Sequence, residues 1–360
     1  MGSEELEEIK DVFESGWLAQ GPKVAEFEKK IGRYLDAKFV IATSSCTTAL
    51  SLAIESLGIR SGSEIIVPDF TFPATANVVA RAGERPAIAD VRIDTYALDI
   101  SELSRGLTKR TSAVIPVHPF GHPAEIAEIN EVAERAGVKV IEDAATAFGT
   151  KYKGRRIGSR GTAVCFSFHP RKLLTTAEGG CLVTEDQEIA EKARAMRSHG
   201  QQYQNGSPKF VYNGLNYRLS DIHAAIGIAQ LGKIDSMIES RRKQAKVYDE
   251  LLGSSNLDIR IPIQNGSCFH TYQSYVISLG DKFACDRDYC IQVLRNKFGI
   301  ETQIGTYSIH LQPAFSGSRN IGTLSRGAEL YHKTLTLPLF ESLSGEEQKY
   351  VVDSLAKIGK

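Results

Sequence analysis

The chain has 360 residues, with 43 Lys+Arg against 43 Asp+Glu and a formal net charge of zero. Its 42% hydrophobic and 24% charged residues are an ordinary globular composition, which excludes a disordered chain. The balanced charge argues against a nucleic-acid or anionic-membrane partner, and no apolar run has the length to span a bilayer.

The first residues, MGSEELEEIK, are acidic and polar, unlike a secretory signal, and point to a cytosolic (cytoplasmic) enzyme. FVIAT (39–43) is a strand, and the stretch 46–57 is a helix with Leu50, Ala53, Ile54 and Leu57 on one face. EIIVP (64–68) is the next strand, followed by a helical stretch through Asn77 to Arg81. PAIADV (86–91), SAVIPVH (112–118) and VKVIED (138–143) continue the series, with a helix from about Pro123 to Ala136 ended by Gly137. AVCFSFH (163–169) and GCLVT (180–184) have no room for a helix between them, so an antiparallel or irregular strand is expected there. The near-continuous apolar strands predict an α/β fold, a mostly parallel sheet covered on both faces.

From Ser220 a long helical stretch runs to about Leu252 as a connector. A strand (272–279), a helix (286–299) and a closing helix after Ser344 follow, so the last third reads as a smaller α+β domain. The boundary is expected near residue 240, dividing a large domain (1–240) from a small one (241–360). The polar segment 197–214 reads as a loop.

Several signatures are missing. The six cysteines (Cys46, Cys165, Cys181, Cys268, Cys285, Cys290) form no C-x-x-C pair and no zinc spacing, so reduced, mostly buried thiols and no metal site are expected. There is no Walker motif and no G-x-G-x-x-G opening a helix.

In an α/β sheet, ligands bind beyond the carboxyl ends of the strands. Four places there carry chemistry, each with an ordinary structural alternative. Ser45-Cys46-Thr47 after the first strand suits either a helix cap or a phosphate held by backbone N–H groups and the Thr47 hydroxyl. Phe72 after the second suits either core packing or stacking on a flat ring. Asp143 ends a wholly apolar strand, where a carboxylate needs a cationic partner: an arginine, or a protonated heterocycle nitrogen. Lys172 lies in a short loop between two strands, either solvated or partly desolvated and available for Schiff-base chemistry. Ser167, five residues earlier, is a further phosphate donor. The conjunction at one sheet edge matches what pyridoxal 5′-phosphate (PLP) needs: phosphate donors, a stacking ring, an acid for the pyridine nitrogen and an amine for the aldehyde.

The sequence resembles the DegT/StrS-type sugar aminotransferases, fold type I PLP enzymes, over nearly the whole chain. The matching stretches include SSCTTALSLAIESLG, VPDFTFPATANVVARAGERPAIADV, VIEDAATAFGTKYKGRRIGSRG, CFSFHPRKLLTTAEGG, NYRLSDIHAAIGIAQL and HLQPAF. The resemblance implies a sheet of the seven-stranded type. It implies that Lys172 is the Schiff-base lysine and proton shuttle, that Asp143 holds the pyridinium nitrogen, and that Phe72 stacks on the ring. Cys46 (through its backbone), Thr47 and Ser167 would bind the phosphate. Asn216 would reach the phosphate of the neighbouring subunit's cofactor, implying a homodimer with active sites at the subunit interface, and His310 would lie near the substrate. Two positions depart from the pattern: Thr146, where Gln or His often approaches the ring oxygen, and Cys46, where Gly is common.

The function this implies is PLP-dependent transfer of an amino group, from glutamate, to a nucleotide-linked keto-sugar. The alternatives are a PLP-dependent sugar dehydratase, in which relatives carry His in place of the lysine, and a non-catalytic regulatory protein of the same fold. Lys172 favours transamination. Substrate choice is expected to lie in loops such as 199–215 and 303–315.

Overall fold

The structure is a computed structural model and describes residues 1–59, 61–264 and 266–359. Its centre is a mixed sheet that pairs from edge to edge through Arg319–Ile321, Arg85–Ala89, Glu64–Pro68, Thr111–Val114, Lys139–Asp143, Val164–Ser167, Gly180–Thr184 and Phe39–Thr43. The Lys139–Val140 and Glu142–Asp143 pieces are one strand: Ile141 N–H donates to Val114 O at 3.0 Å and Asp143 N–H to Pro116 O at 2.9 Å. The seven strands expected from the apolar runs are all present. Gly180–Thr184 runs antiparallel to both neighbours, since only a short loop links it to Val164–Ser167. The eighth strand, Arg319–Ile321, adds to the edge from far along the chain and carries no strong apolar signature.

The strands are buried on both faces because helices cover both. Phe27, Ile31 and Leu35 of the helix Pro22–Leu35 pack on one side, and Leu50, Ala53 and Ile54 of the helix Cys46–Ser56 pack on the other. Burying an aliphatic or aromatic side chain contributes about 1.5–3 kcal/mol, and dozens are fully buried here. The N-terminus of Pro22–Leu35 is capped from afar. The buried Asp221 carboxylate accepts the N–H groups of Gly21 (2.7 Å), Lys23 (3.0 Å) and Val24 (3.0 Å). Those N–H groups have no intrahelical acceptor and favour negative charge.

The helix Asp221–Gly253 changes core along its length. Its residues up to Ile238 pack with the sheet, whereas Ala245, Tyr248 and Leu252 enter a second core. That core lies under a four-stranded antiparallel sheet (Ile259–Arg260, Tyr275–Leu279, Thr334–Leu337, Gln303–Ile304) and the helices Arg287–Phe298 and Gly345–Ile358. The segment after 304 then returns to the first core: Tyr307–Ser308 pairs with Phe70–Thr71, and Ile309, Phe315 and Leu324 are buried there. The polar stretch read as a loop is a β-hairpin, Gln201–Gln204 against Ser207–Phe210, turning through Asn205-Gly206 with both φ positive. No helix among the described residues is long and apolar enough to cross a membrane.

Candidate active site

The carboxyl ends of the central strands open into a cavity of about 380 Å³. Ser45, Cys46, Thr47, Phe72, Asp143, Thr146, Ser167 and Lys172 all line it. The residues expected to surround one small heterocycle are thus brought together from four separate segments.

Asp143 is 5% exposed. Its Oδ2 accepts the Thr75 hydroxyl at 2.7 Å and its Oδ1 the Ala145 N–H at 3.1 Å. No cation lies within ion-pair distance of it among the described residues. Burial pushes its pKa up, opposed by these two hydrogen bonds and by the charges of Lys172 and His118. Lys172 likewise has no hydrogen-bonded or ion-paired partner for its amine among the described residues. Burial pushes its pKa down, against the pull of Cys46 and Asp143, and Arg171 pushes it the same way as burial. An acid without a cation and an amine without an anion therefore face one cavity.

The third component is the start of the helix Cys46–Ser56. Ser45 is its N-cap, accepting Thr48 N–H at 3.2 Å, and among the described residues the Cys46 and Thr47 N–H groups have no protein acceptor. Gly180 makes room for this end: a Cβ there would lie 2.4 Å from Cys46 N and 2.7 Å from Phe166 O. Ser167 Oγ stands on the adjoining strand. Two free N–H groups, two hydroxyls and the helix dipole make an anion cradle.

The other expected residues have protein partners. Phe72 is 59% exposed and packs edge-on to Tyr307, with ring centroids 6.2 Å apart. Thr146 donates its hydroxyl proton to His118 O at 2.7 Å, so it offers a ligand only acceptor capacity. Asn216 is exposed and outside this cavity, its Oδ1 accepting Arg218 N–H at 3.3 Å. His310 does not line the cavity either. Its backbone N–H (2.8 Å) and Nδ1 (2.9 Å) are held by the fully buried Asp69, which also accepts the Ser308 hydroxyl. This cluster anchors the Tyr307–Ser308 strand behind the cavity wall.

Sequence reasoning missed Thr75, Arg171, Gln273 and Tyr307. Thr75 lies four residues after Thr71 in the quoted FTFPATA stretch, a spacing that puts a hydroxyl on the first turn of a helix aimed at the sheet edge. Gln273 has no such signal, because it reaches the cavity from 100 residues beyond Leu173.

The residues present fit PLP: the cradle suits a phosphate, Asp143 a pyridinium nitrogen and Lys172 an aldehyde. Comparison with known proteins decides the family. The sequence profile of the DegT/DnrJ/EryC1/StrS aminotransferase family matches residues 1–356. The chain belongs to this family. Among the relatives of this aminotransferase is SpsC of Bacillus subtilis, a spore coat polysaccharide biosynthesis protein, 34% identical over 100% of this chain and 95% of SpsC. S. venezuelae DesV, solved in complex with a ketimine intermediate, superposes with a TM-score of 0.92 at 31% identity, covering 99% of this chain and 95% of DesV. DesI, solved in the presence of its TDP-sugar product, superposes at 0.91 with 28% identity, covering 99% and 89%. The chain is thus a sugar aminotransferase of the α/β PLP-enzyme fold, as the sequence resemblance implied.

Proposed function

We propose that this aminotransferase moves an amino group from glutamate to the ketone of a nucleotide-linked sugar, using PLP held by the residues above. The observation that carries this reading is the pairing of an uncompensated buried acid, Asp143, with an unpartnered buried amine, Lys172, across one cavity. DesI, with its TDP-sugar product, supports a nucleotide-linked substrate, and SpsC supports a role in polysaccharide assembly.

The backbone N–H groups of Cys46 and Thr47, with the Thr47 and Ser167 hydroxyls, hold the phosphate. Asp143 keeps a proton on the ring nitrogen, since a nearby negative charge favours the protonated form. Phe72, exposed at the cavity rim beside Tyr307, would cover one face of the ring. When bound, PLP supplies an aldehyde that carries the amino group and a ring that accepts the electrons of a broken C–H bond. With PLP in place, Lys172 Nζ would be the amine that faces its aldehyde and the group that holds and moves the proton. Its lowered pKa makes neutral amine available for both tasks. Asn216, outside its own cavity, serves the neighbouring subunit's phosphate site in a homodimer.

The test is incubation of the protein with PLP, L-glutamate and a panel of nucleotide-linked keto-sugars, with products analysed by mass. The expected product is an amino-sugar formed with ping-pong kinetics. A deoxygenated sugar without a new amine would favour the dehydratase alternative, and no turnover on any member would favour the regulatory one.

A further inference from the structure

Lys172 sits in the loop between Val164–Ser167 and Gly180–Thr184, beyond the sheet, where no neighbouring strand holds it. Its backbone is nonetheless fixed. Lys172 N–H donates to His169 O at 2.8 Å. The peptide groups on either side are taken by a single side chain: Gln273 Oε1 accepts Leu173 N–H at 2.6 Å, and Gln273 Nε2 donates to Arg171 O at 2.6 Å. An acceptor for residue i+1 and a donor to residue i−1 are what a parallel strand offers residue i. The glutamine amide thus imitates a β-bridge partner for Lys172. A carboxylate or an apolar side chain lacks the donor, and a hydroxyl has donor and acceptor on a single atom that cannot span both peptide groups.

Gln273 is buried, and the bend that bears it is pinned. Arg241 Nη1, on the long connecting helix, donates to Gln273 O at 2.7 Å, and Ser274 N–H donates to Phe120 O at 3.3 Å. Tyr272 turns the chain with φ 51° and donates its N–H to His270 Nδ1 at 2.9 Å. Gly121 allows the close approach: it has φ 96°, and a Cβ there would lie 2.9 Å from Gln273 N.

We propose that Gln273 is a positioning residue for amination: its amide clamps the backbone on both sides of Lys172, leaving only the lysine side-chain torsions free to move between cofactor and substrate. This rests on Lys172 being the reacting amine. Misplacing a reacting group by about 1 Å can cost on the order of 100-fold in rate, so the clamp bears on rate more than on binding.

The test compares wild type with Gln273→Met, which keeps the chain length and loses both hydrogen bonds. Apoprotein is mixed with PLP, growth of visible absorbance is followed, and borohydride-reduced samples are peptide-mapped. The expected result is PLP affinity within about threefold, because the phosphate cradle is untouched, but attachment to Lys172 slowed by about 10-fold or more. The kcat falls to a similar degree, with KM for glutamate little changed. Gln348→Met is the control. Gln348 is equally buried and donates to Gln244 O at 2.8 Å, so its loss costs stability while leaving both rates alone. Wild-type rates in Gln273→Met, or equal losses in both variants, would overturn the clamp. Should Gln273→Met not fold, hydrogen exchange of wild type decides: the Leu173 amide is expected to be as protected as the strand amides, and exchange at an open-loop rate overturns the proposal. Wild type labelled at Lys172 with no effect of Gln273→Met condemns the clamp alone. Wild type labelled elsewhere condemns the reading of the site itself.

Discussion

Thr75 provides a direct test of how the acid at the base of the site works. It is fully buried on the first turn of Ala74–Arg81, and its hydroxyl donates to Asp143 Oδ2 at 2.7 Å while lying 3.1 Å from Thr71 Oγ1. A hydrogen bond to a charged group contributes about 1.5–3 kcal/mol, all of it here to the ionised carboxylate. Thr75→Val removes the donor and keeps the branched shape. The sign follows: the bond lowers the Asp143 pKa, so its loss raises that pKa further above the ordinary carboxylate range. At 1.36 kcal/mol per unit, the acidic limb of the kcat/KM profile for the amino donor moves up by about one to two pH units. Thr75→Ser, which retains the hydroxyl, leaves the limb in place. The assay is initial rate against pH with PLP saturating. Identical acidic limbs for Thr75→Val and Thr75→Ser would refute the claim that this hydroxyl sets the charge of Asp143.

Asp143→Asn should abolish amination yet stabilise the cofactor-free protein at neutral pH by about 1 kcal/mol, as replacements of strained site residues commonly do. For a chain of this length that is about 1.3 °C in Tm. The folded-state pKa is raised from 3.8, so the wild type loses stability as pH rises through the window above 3.8; the variant's advantage is therefore full at neutral pH and gone near pH 4. Calorimetry at both pH values checks it, and an advantage that persists at low pH would count against it. Gly180→Ala should push the start of Cys46–Ser56 away from its strand and weaken PLP binding by about 10-fold or more, read by absorbance titration. Arg197→Met should cost about 3–5 kcal/mol on thermal unfolding, because the buried guanidinium holds Glu28 Oε1 at 2.5 Å and Ala42 O at 2.8 Å.

The sheet was legible because its strands are buried on both faces and so appear as unbroken apolar runs, and the antiparallel strand was legible from the short gap before Gly180. The edge strand Arg319–Ile321 was not, being three residues of mixed polarity. Nor was the hairpin Gln201–Phe210, whose polar residues are mostly exposed and carry no burial pattern. The same logic divides the site. Asp143, Lys172, Ser167 and the Cys46–Thr47 turn stand at strand ends, where chain position alone predicts convergence. The partner of His310 was hidden: its Nδ1 is held by Asp69, 241 residues earlier, a partnership that no local spacing announces. Gln273 was equally hidden, since a glutamine inside a strand-like stretch looks like surface until the bend at Tyr272 turns it toward Lys172.

The central claim is that one amine and one acid grip the same heterocycle. Mixing the protein with PLP, reducing with borohydride and mapping the peptides tests this most directly, with Asp143→Asn treated in parallel. The expected result is one modification per chain, at Lys172, and a visible spectrum that changes in the Asp143→Asn variant. Modification at another lysine, or a variant spectrum identical to wild type, would contradict it.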